Sequence, residues 1–217
     1  MGDVETELAG ERVVLLAERA LYRPAAGALL VADPHWGKAA AFRAAGLPVP
    51  GGTTAEGLER LTRALARTGA RRLVILGDLF HARTGKSPQT LAVVRDWRDR
   101  HAALPITLIR GNHDRHAGDP PPDLGIECCD PPCADAPFLY THHPAPMDAG
   151  YVLAGHVHPS VTLRGAGRQR ERLPCFHFGP RVGLLPAFGD FTGTADVAVV
   201  PGDRVFVVAG QRVLQVS

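Results

Sequence analysis

Five short apolar runs in this chain end on the same kind of side chain. Ala28–Ala32 runs into Asp33-Pro34-His35, and Leu73–Leu76 into Gly77-Asp78-Leu79-Phe80-His81. Ile106–Ile109 runs into Arg110-Gly111-Asn112-His113-Asp114. Phe138–Tyr140 runs into Thr141-His142-His143-Pro144, and Tyr151–Ala154 into Gly155-His156-Val157-His158. Apolar runs of this length, closed by glycine and polar residues, read as buried strands. A single D-x-H or H-x-H is more often a solvated or capped pair than a ligand pair. Packing, however, gives no reason for Asp, His or Asn to close five strands in succession. In α/β sheets functional groups gather beyond the carboxyl ends of strands, so these five ends can share one crevice.

The rest of the chain fits such a sheet. Val13–Leu16 precedes the five runs. After them come Val161–Leu163, Cys175–Phe178, Val197–Val200, Val205–Val208 and Val213–Val216, separated by turn signals as in a meander. Two helices are expected between the early strands. Thr53 or Thr54 caps the first, which reaches Gly69 with Leu58, Leu61 and Leu65 on one face and Arg60, Arg63 and Arg67 on the other. Ser87-Pro88 opens the second, with Leu91, Val94 and Trp97 at helical spacing. Strands alternating with helices, then a run of strands, predict an α/β sandwich. The 217 residues, 45% of them hydrophobic, are read as one domain over 1–217. Pro-rich stretches at Asp119–Asp123 and Asp130–Pro137 predict one long loop around the Cys128-Cys129 pair.

Several function classes fall away. No run of 18 apolar residues exists to form a membrane span. The opening MGDVETELAG is acidic and lacks the regions of a secretory signal, so a cytoplasmic protein is expected. Cysteines at 128, 129, 133 and 175 form no C-x-x-C pair, and four reduced thiols are expected.

Ligand chemistry narrows the reading further. In a pleated strand, residues two apart point the same way, which aligns Asp33 with His35 and His156 with His158. The candidate inner shell is Asp33, His35, Asp78, Asn112, His142, His156 and His158. It combines carboxylate, amide oxygen and imidazole without thiolate, a set suited to Mn²⁺, Fe²⁺, Zn²⁺ or Co²⁺. Seven groups exceed the needs of one ion and suit two ions sharing a carboxylate. Two metals about 3.5–4 Å apart are a known device for phosphoester hydrolysis.

The ordered motifs DPH, GDLFH, GNHD, THHP and GHVH resemble those of the calcineurin-like metallophosphoesterase superfamily. The resemblance implies a sandwich of two β-sheets flanked by helices on both outer faces (α/β/β/α), with a two-metal site at the strand C-terminal ends. It also implies that Asp33, His35 and His158 hold the first metal, that Asn112, His142 and His156 hold the second, and that Asp78 bridges. His113 corresponds to the family's non-ligand histidine, which contacts the scissile phosphate or protonates the leaving group, and Asp114 would orient it. His142 is preferred over His143 as the ligand, because the first His of an H-x-P element usually serves.

A closer resemblance comes from Asp33-Pro34-His35-Trp36-Gly37-Lys38, Phe42-Arg43, Gly46 and Pro48-Val49-Pro50-Gly51. These segments are similar to the ligase-associated DNA damage response endonuclease (PdeM) family. That implies a manganese-dependent nuclease with DNA ligase, helicase and exonuclease partners. The Gly77–His81 element is also similar to one in a second group of metal-dependent nucleases, which puts His81 near the scissile phosphate.

Of 24 basic residues, 22 are Arg and two are Lys, Lys38 and Lys86, and the net charge is +2. This balance permits a polyanionic partner without requiring one. Lys38 and Arg43 follow the first metal motif and are candidate phosphate contacts. Arg164, Arg168, Arg170 and Arg172 lie in a Gly-rich loop after His158, suited to the backbone of single-stranded DNA. The Arg60–Arg71 face is expected to be solvated, with Glu56 and Glu59 pairing with Arg60 and Arg63. Two other readings remain: a hydrolase of small phosphodiesters such as cyclic nucleotides or dinucleoside polyphosphates, and a non-catalytic binding module in a repair assembly.

Overall fold

The computed structural model describes all residues except Met1, Ala166 and Arg168. The Arg168 expectation therefore lies outside the described residues. The chain divides near residue 130 into two sheets. The first comprises β1 (Val4–Leu8), β2 (Glu11–Leu16), β3 (Ala20–Arg23), β4 (Ala28–Ala32), β5 (Arg72–Leu76), β6 (Ile106–Ile109) and β7 (Ile126–Cys129), hydrogen-bonded in chain order. β1 to β4 form an antiparallel meander, and β4 to β7 run parallel. The second contains β8 (Cys133–Asp135), β9 (Phe138–Tyr140), β10 (Tyr151–Ala154), β11 (Pro159–Arg164), β12 (Arg170–Phe178), β13 (Val182–Leu184) and β14 (Ala195–Asp196) in the order β14-β11-β12-β13-β10-β9-β8. β15 (Arg204–Ala209) pairs with β12 and with β16 (Arg212–Gln215).

The sheets pack face to face. Leu30, Ala32, Val74 and Leu76 of the first meet Phe138, Leu153, Phe176 and Phe206 of the second in one buried cluster. Alternate residues Leu29, Val31, Leu73 and Ile75 point the other way. They pack under α2 (Thr53–Thr68) and α3 (Pro88–Arg100) through Leu58, Leu61, Val94 and Trp97. Parallel strands covered on both faces need continuous apolar runs, which is why these four read without alternation. Two short helices, α1 (Lys38–Ala44) and α4 (Asn112–Ala117), follow β4 and β6 directly.

The sandwich has the expected two sheets, but among the described residues its layering differs in one respect. No helix packs against the outer face of the second sheet. Met147, Val157 and Val197 cover Val152 and Leu184 there from loops. Val197–Val200 is not a strand; Val199 and Val200 are exposed, and the short β14 precedes them. The expected loop around the cysteines instead contributes β7 and β8, the edge strands at which the chain crosses between sheets. Cys129 and Cys133 are joined by a disulfide across that crossing, so two thiols, Cys128 and Cys175, remain free rather than four.

Helix details also depart from expectation. Gly52, in a left-handed conformation, caps α2, while Thr54 Oγ1 accepts the Gly37 N–H. Ser87 does cap α3, its hydroxyl accepting from the Thr90 N–H. The Glu56–Arg60 and Glu59–Arg63 pairs do not form among the described residues. Arg60 pairs with Asp190, and Arg67 with Glu18 and Asp3, because these acids lie across the sandwich edge within reach of the helix.

Candidate metal centre

Five strands deliver their ends to one crevice: Asp33 after β4, Asp78 after β5, Asn112 after β6, His142 after β9, and His156 and His158 after β10. The pleat does not aim them. β4 stops at Ala32 and β10 at Ala154, and five of the candidate ligands adopt left-handed backbone: Asp33 (φ 51°), His35 (46°), Asp78 (53°), His156 (67°) and His158 (52°). Asp, Asn and His tolerate this region better than other side chains. Each such turn costs roughly 1–3 kcal/mol and survives where surrounding structure fixes it.

Close approach reserves space for these groups. A Cβ on Gly77 would lie 2.1 Å from His142 Nδ1, and one on Gly111 would lie 2.3 Å from Asp78 Oδ1. The glycine preceding Asp78 and the one preceding Asn112 are thus room occupied by neighbouring ligands.

The carboxylate of Asp78 divides between two groups. Its Oδ2 is 3.8 Å from His35 Nε2, and its Oδ1 is 3.4 Å from His142 Nε2. On one side, Asp33, His35 and His158 bring donor atoms within 4.8 Å of one another. On the other, His142 Nε2 lies 2.9 Å from Asn112 Oδ1 and 3.1 Å from His156 Nδ1. Two observations show that divalent cations fit here. Asp33 Oδ1 is buried without a hydrogen-bond partner. His142 Nδ1 donates to the Leu76 carbonyl, and His158 Nδ1 to the Gly193 carbonyl, which fixes the tautomers and leaves both Nε2 lone pairs facing the crevice. Oxygen and nitrogen donors gathered this closely in a buried crevice suit a cation.

Burial keeps most of these imidazoles neutral. It pushes His35 down to about 2, with Lys38 and His158 adding to the effect. It also pushes His142 down to about 4 against the pull of Asp33. His158 runs the other way: burial lowers it, but the Asp33 carboxylate carries it above the usual value. Asp78 is raised by burial, partly offset by the His113 N–H on its Oδ1.

His142 is fully buried, whereas His143 is exposed and rests its ring 4.1 Å from that of His156. His143 nonetheless has a donor atom within 4.8 Å of those of His142 and His156. His113 turns its Nε2 to within 3.9 Å of Asp78 Oδ2. Asp114 does not orient it. Asp114 is the third residue of α4, and its carboxylate faces back to accept the N–H groups of Asp78, Leu79 and Gly111. The group that orients His113 is the His81 carbonyl, 2.6 Å from Nδ1, and the His81 ring stacks on His113 at 4.9 Å. Burial, then Lys38, pushes His81 down to about 4.

Lys38 lines a crevice with His35. Arg43 points elsewhere, donating to the Val49 and Pro50 carbonyls. Arg164 and Arg170 face each other as a cross-strand pair on the β11–β12 hairpin, and Arg172 pairs with Asp196.

A family model described as calcineurin-like phosphoesterase matches residues 28–138, which carry Asp33, His35, Asp78 and Asn112. The chain belongs to the calcineurin-like phosphoesterase family. Among solved structures, Pseudomonas putida nuclease MPE is 46% identical, with a TM-score of 0.89 over 99% of this chain and 100% of that one. Yfce, a phosphoesterase from E. coli, is 17% identical, with a TM-score of 0.43 over 87% and 97%. No curated protein matches. The phosphoesterase is thus a metal-dependent enzyme built on two mixed sheets, and no helix among its described residues is long and apolar enough to cross a membrane.

Sequence reasoning missed one part of this phosphoesterase's centre, the loop Phe188–Gly193. The Gly189 N–H donates to the Asp33 carbonyl, and the Gly193 carbonyl accepts from His158. Its only signal in the sequence was an aromatic between glycines, Gly189-Asp190-Phe191-Thr192-Gly193.

Proposed function

We propose that this phosphoesterase is a manganese-dependent endonuclease that cuts DNA during repair. The observation that carries the reading is the end-to-end likeness to the Pseudomonas putida nuclease. Asp33, His35 and His158 would hold one divalent ion, Asn112, His142 and His156 a second, and Asp78 would bridge them. Manganese suits this oxygen and imidazole set, as do zinc, iron and cobalt. Bound there, such ions supply Lewis acidity to the phosphoryl oxygens and make nearby water more acidic.

The chain's own residues do the rest. His113 keeps its Nδ1–H on the His81 carbonyl and, in its doubly protonated form, delivers the Nε2 proton to the leaving oxygen. Stacking on His81 holds that ring in one orientation. Lys38 offers a cation to the phosphate beside His35. Arg164 and Arg170, exposed on the hairpin, contact the nucleic-acid backbone away from the cut. A cytoplasmic repair assembly with DNA ligase, helicase and exonuclease partners is the setting this reading implies.

The convergence of all seven candidate ligands, drawn from Asp, Asn and His, speaks against a non-catalytic module. The test is hydrolysis of plasmid, single-stranded DNA and a cyclic nucleotide across a panel of divalent metals. DNA cleavage greatest with Mn²⁺ is expected. Turnover of the cyclic nucleotide alone would replace this reading with that of a small-diester hydrolase.

A further inference from the structure

The irregular loop Phe188–Gly193 bears on one of the two ligand groups. The Phe188 N–H bonds the Ala32 carbonyl, and the Gly189 N–H bonds the Asp33 carbonyl. At the other end, the Gly193 carbonyl accepts from His158 Nδ1. The fit is close: a Cβ on Gly189 would lie 2.7 Å from the Pro34 carbonyl oxygen and 3.2 Å from that of Asp33. Among the described residues, none of the loop's hydrogen bonds reaches Asn112, His142 or His156. The loop thus supports Asp33 and His158 and leaves the second group alone.

What holds the loop is a side chain of α2. Arg60 Nη1 lies 2.8 and 2.9 Å from the two carboxylate oxygens of Asp190, and its Nη2 donates to the Phe188 carbonyl. Its guanidinium also sits 4.6 Å from the centre of the buried Phe188 ring. Exposed ion pairs contribute little, but the Arg60 side chain is only 16% exposed. A guanidinium is a rigid fork, so a single residue fixes the carboxylate and the carbonyl together. Arg19 adds longer contacts, 3.3 Å to Asp190 and 3.5 Å to the Gly189 carbonyl. The same helix reaches the segment after β4, where Thr54 Oγ1 accepts the Gly37 N–H. α2 therefore braces the backbone on both sides of Asp33 and His35.

We propose that Arg60 is a positioning residue for the metal centre: by clamping Asp190 and the Phe188 carbonyl it keeps the Gly193 carbonyl on His158, and so sets the affinity of one of the two ions and not of the other. The ion concerned is the one assigned to Asp33, His35 and His158. The inference rests on the two-ion reading above and is independent of which phosphodiester the enzyme cuts. Groups that orient a ligating histidine typically contribute ten- to a hundredfold in metal affinity. Arg60 stands one contact beyond the Gly193 carbonyl, so an effect near the lower figure is expected.

The experiment titrates metal-free protein with Mn²⁺ in the absence of substrate, followed by calorimetry and by electron paramagnetic resonance. Wild-type protein should take up two ions and show the spectrum of a coupled pair. Arg60→Gln should bind one ion as wild type does and the other about tenfold more weakly, the coupled spectrum appearing only at correspondingly higher Mn²⁺. Asp190→Asn should show the same selective loss. The double variant should lose no more than the worse single one, because both changes cut the same link. Should Arg60→Gln fail to fold, Asp190→Asn alone carries the test, since it removes one charge from a surface loop. An unchanged titration, an equal weakening of both ions or additive losses in the double variant would overturn the positioning role while leaving the two-ion reading intact. Wild-type protein that takes up fewer than two ions would overturn both.

Discussion

Asp114 and Asp78 are joined through the main chain: the Asp114 carboxylate accepts the Asp78 N–H at 2.7 Å, and also those of Leu79 and Gly111. One buried side chain thereby sets the backbone that places both the shared carboxylate and Asn112. Asp114→Ala should strand three buried donors and cost roughly 3 kcal/mol or more, lowering the melting temperature by about 6–12 °C. Bound metal should fall well below two ions per chain on reconstitution with excess Mn²⁺. Calorimetry and elemental analysis measure the two effects separately.

His113 should behave differently. His113→Ala should lower turnover by about 10²–10⁴ while metal content stays near two ions per chain. His81→Ala removes the stacked ring but keeps the carbonyl that orients His113, so its loss of turnover should be smaller. Asp78→Ala should lose metal and activity together. Steady-state rates paired with metal analysis distinguish the three.

The adjacent histidines at 142 and 143 differ in burial, and so in expected role. His142→Ala should remove the second ion, because its Nε2 meets Asn112, Asp78 and His156. His143→Ala should retain both ions. The reverse result would move the ligand by one residue.

Salt dependence tests the hairpin. Replacing Arg164 and Arg170 with Gln should raise the KM for DNA and flatten its rise with salt, since each phosphate contact contributes to the slope. A salt series on single-stranded DNA reads this directly.

Acid stability should depend on Asp203. Burial works to raise its carboxyl, but the Val200 N–H and the His177 imidazole, 2.8 Å away, hold it below the ordinary carboxylate range. A carboxyl depressed in the folded state contributes stability above its unfolded value, about 3.9, and that stability is lost as pH falls through the folded value. Asp203→Asn should therefore melt lower than wild type at neutral pH and converge with it on acidification below about pH 4. Melting curves across pH give the comparison.

The strand-end pattern was legible because ligands and apolar runs alternate locally in the chain. The backbone that aims the ligands was not. Asp33 and His35 are two apart, which reads as pleat, but they align through left-handed turns that only the neighbouring loops make tenable. β7 and β8 were hidden for a related reason. Ile126–Cys129 and Cys133–Asp135 carry weak patterns of their own and become strands by pairing with β6 and β9. Val197–Val200 misled in the opposite direction, since only Val197 bonds a strand, through the Ser160 carbonyl of β11, while Val199 and Val200 are exposed. Asp114 shows how a role can be misplaced: proximity to His113 in sequence suggested a contact, while the helix turns its carboxylate the other way.

The division of the chain near residue 130 has a consequence for how the folded state responds to its surroundings. Asp33, His35, Asp78 and Asn112 issue from one sheet, and His142, His156 and His158 from the other. Ions bound there tie the two halves of the polypeptide together as a reversible clasp. Ligand that binds only the native state stabilises it by about 2.7 kcal/mol at a hundred times its dissociation constant. The supply of divalent metal would then set the molecule's lifetime as well as its rate, since the clasp joins the same two sheets whose faces close over Phe138 and Phe176.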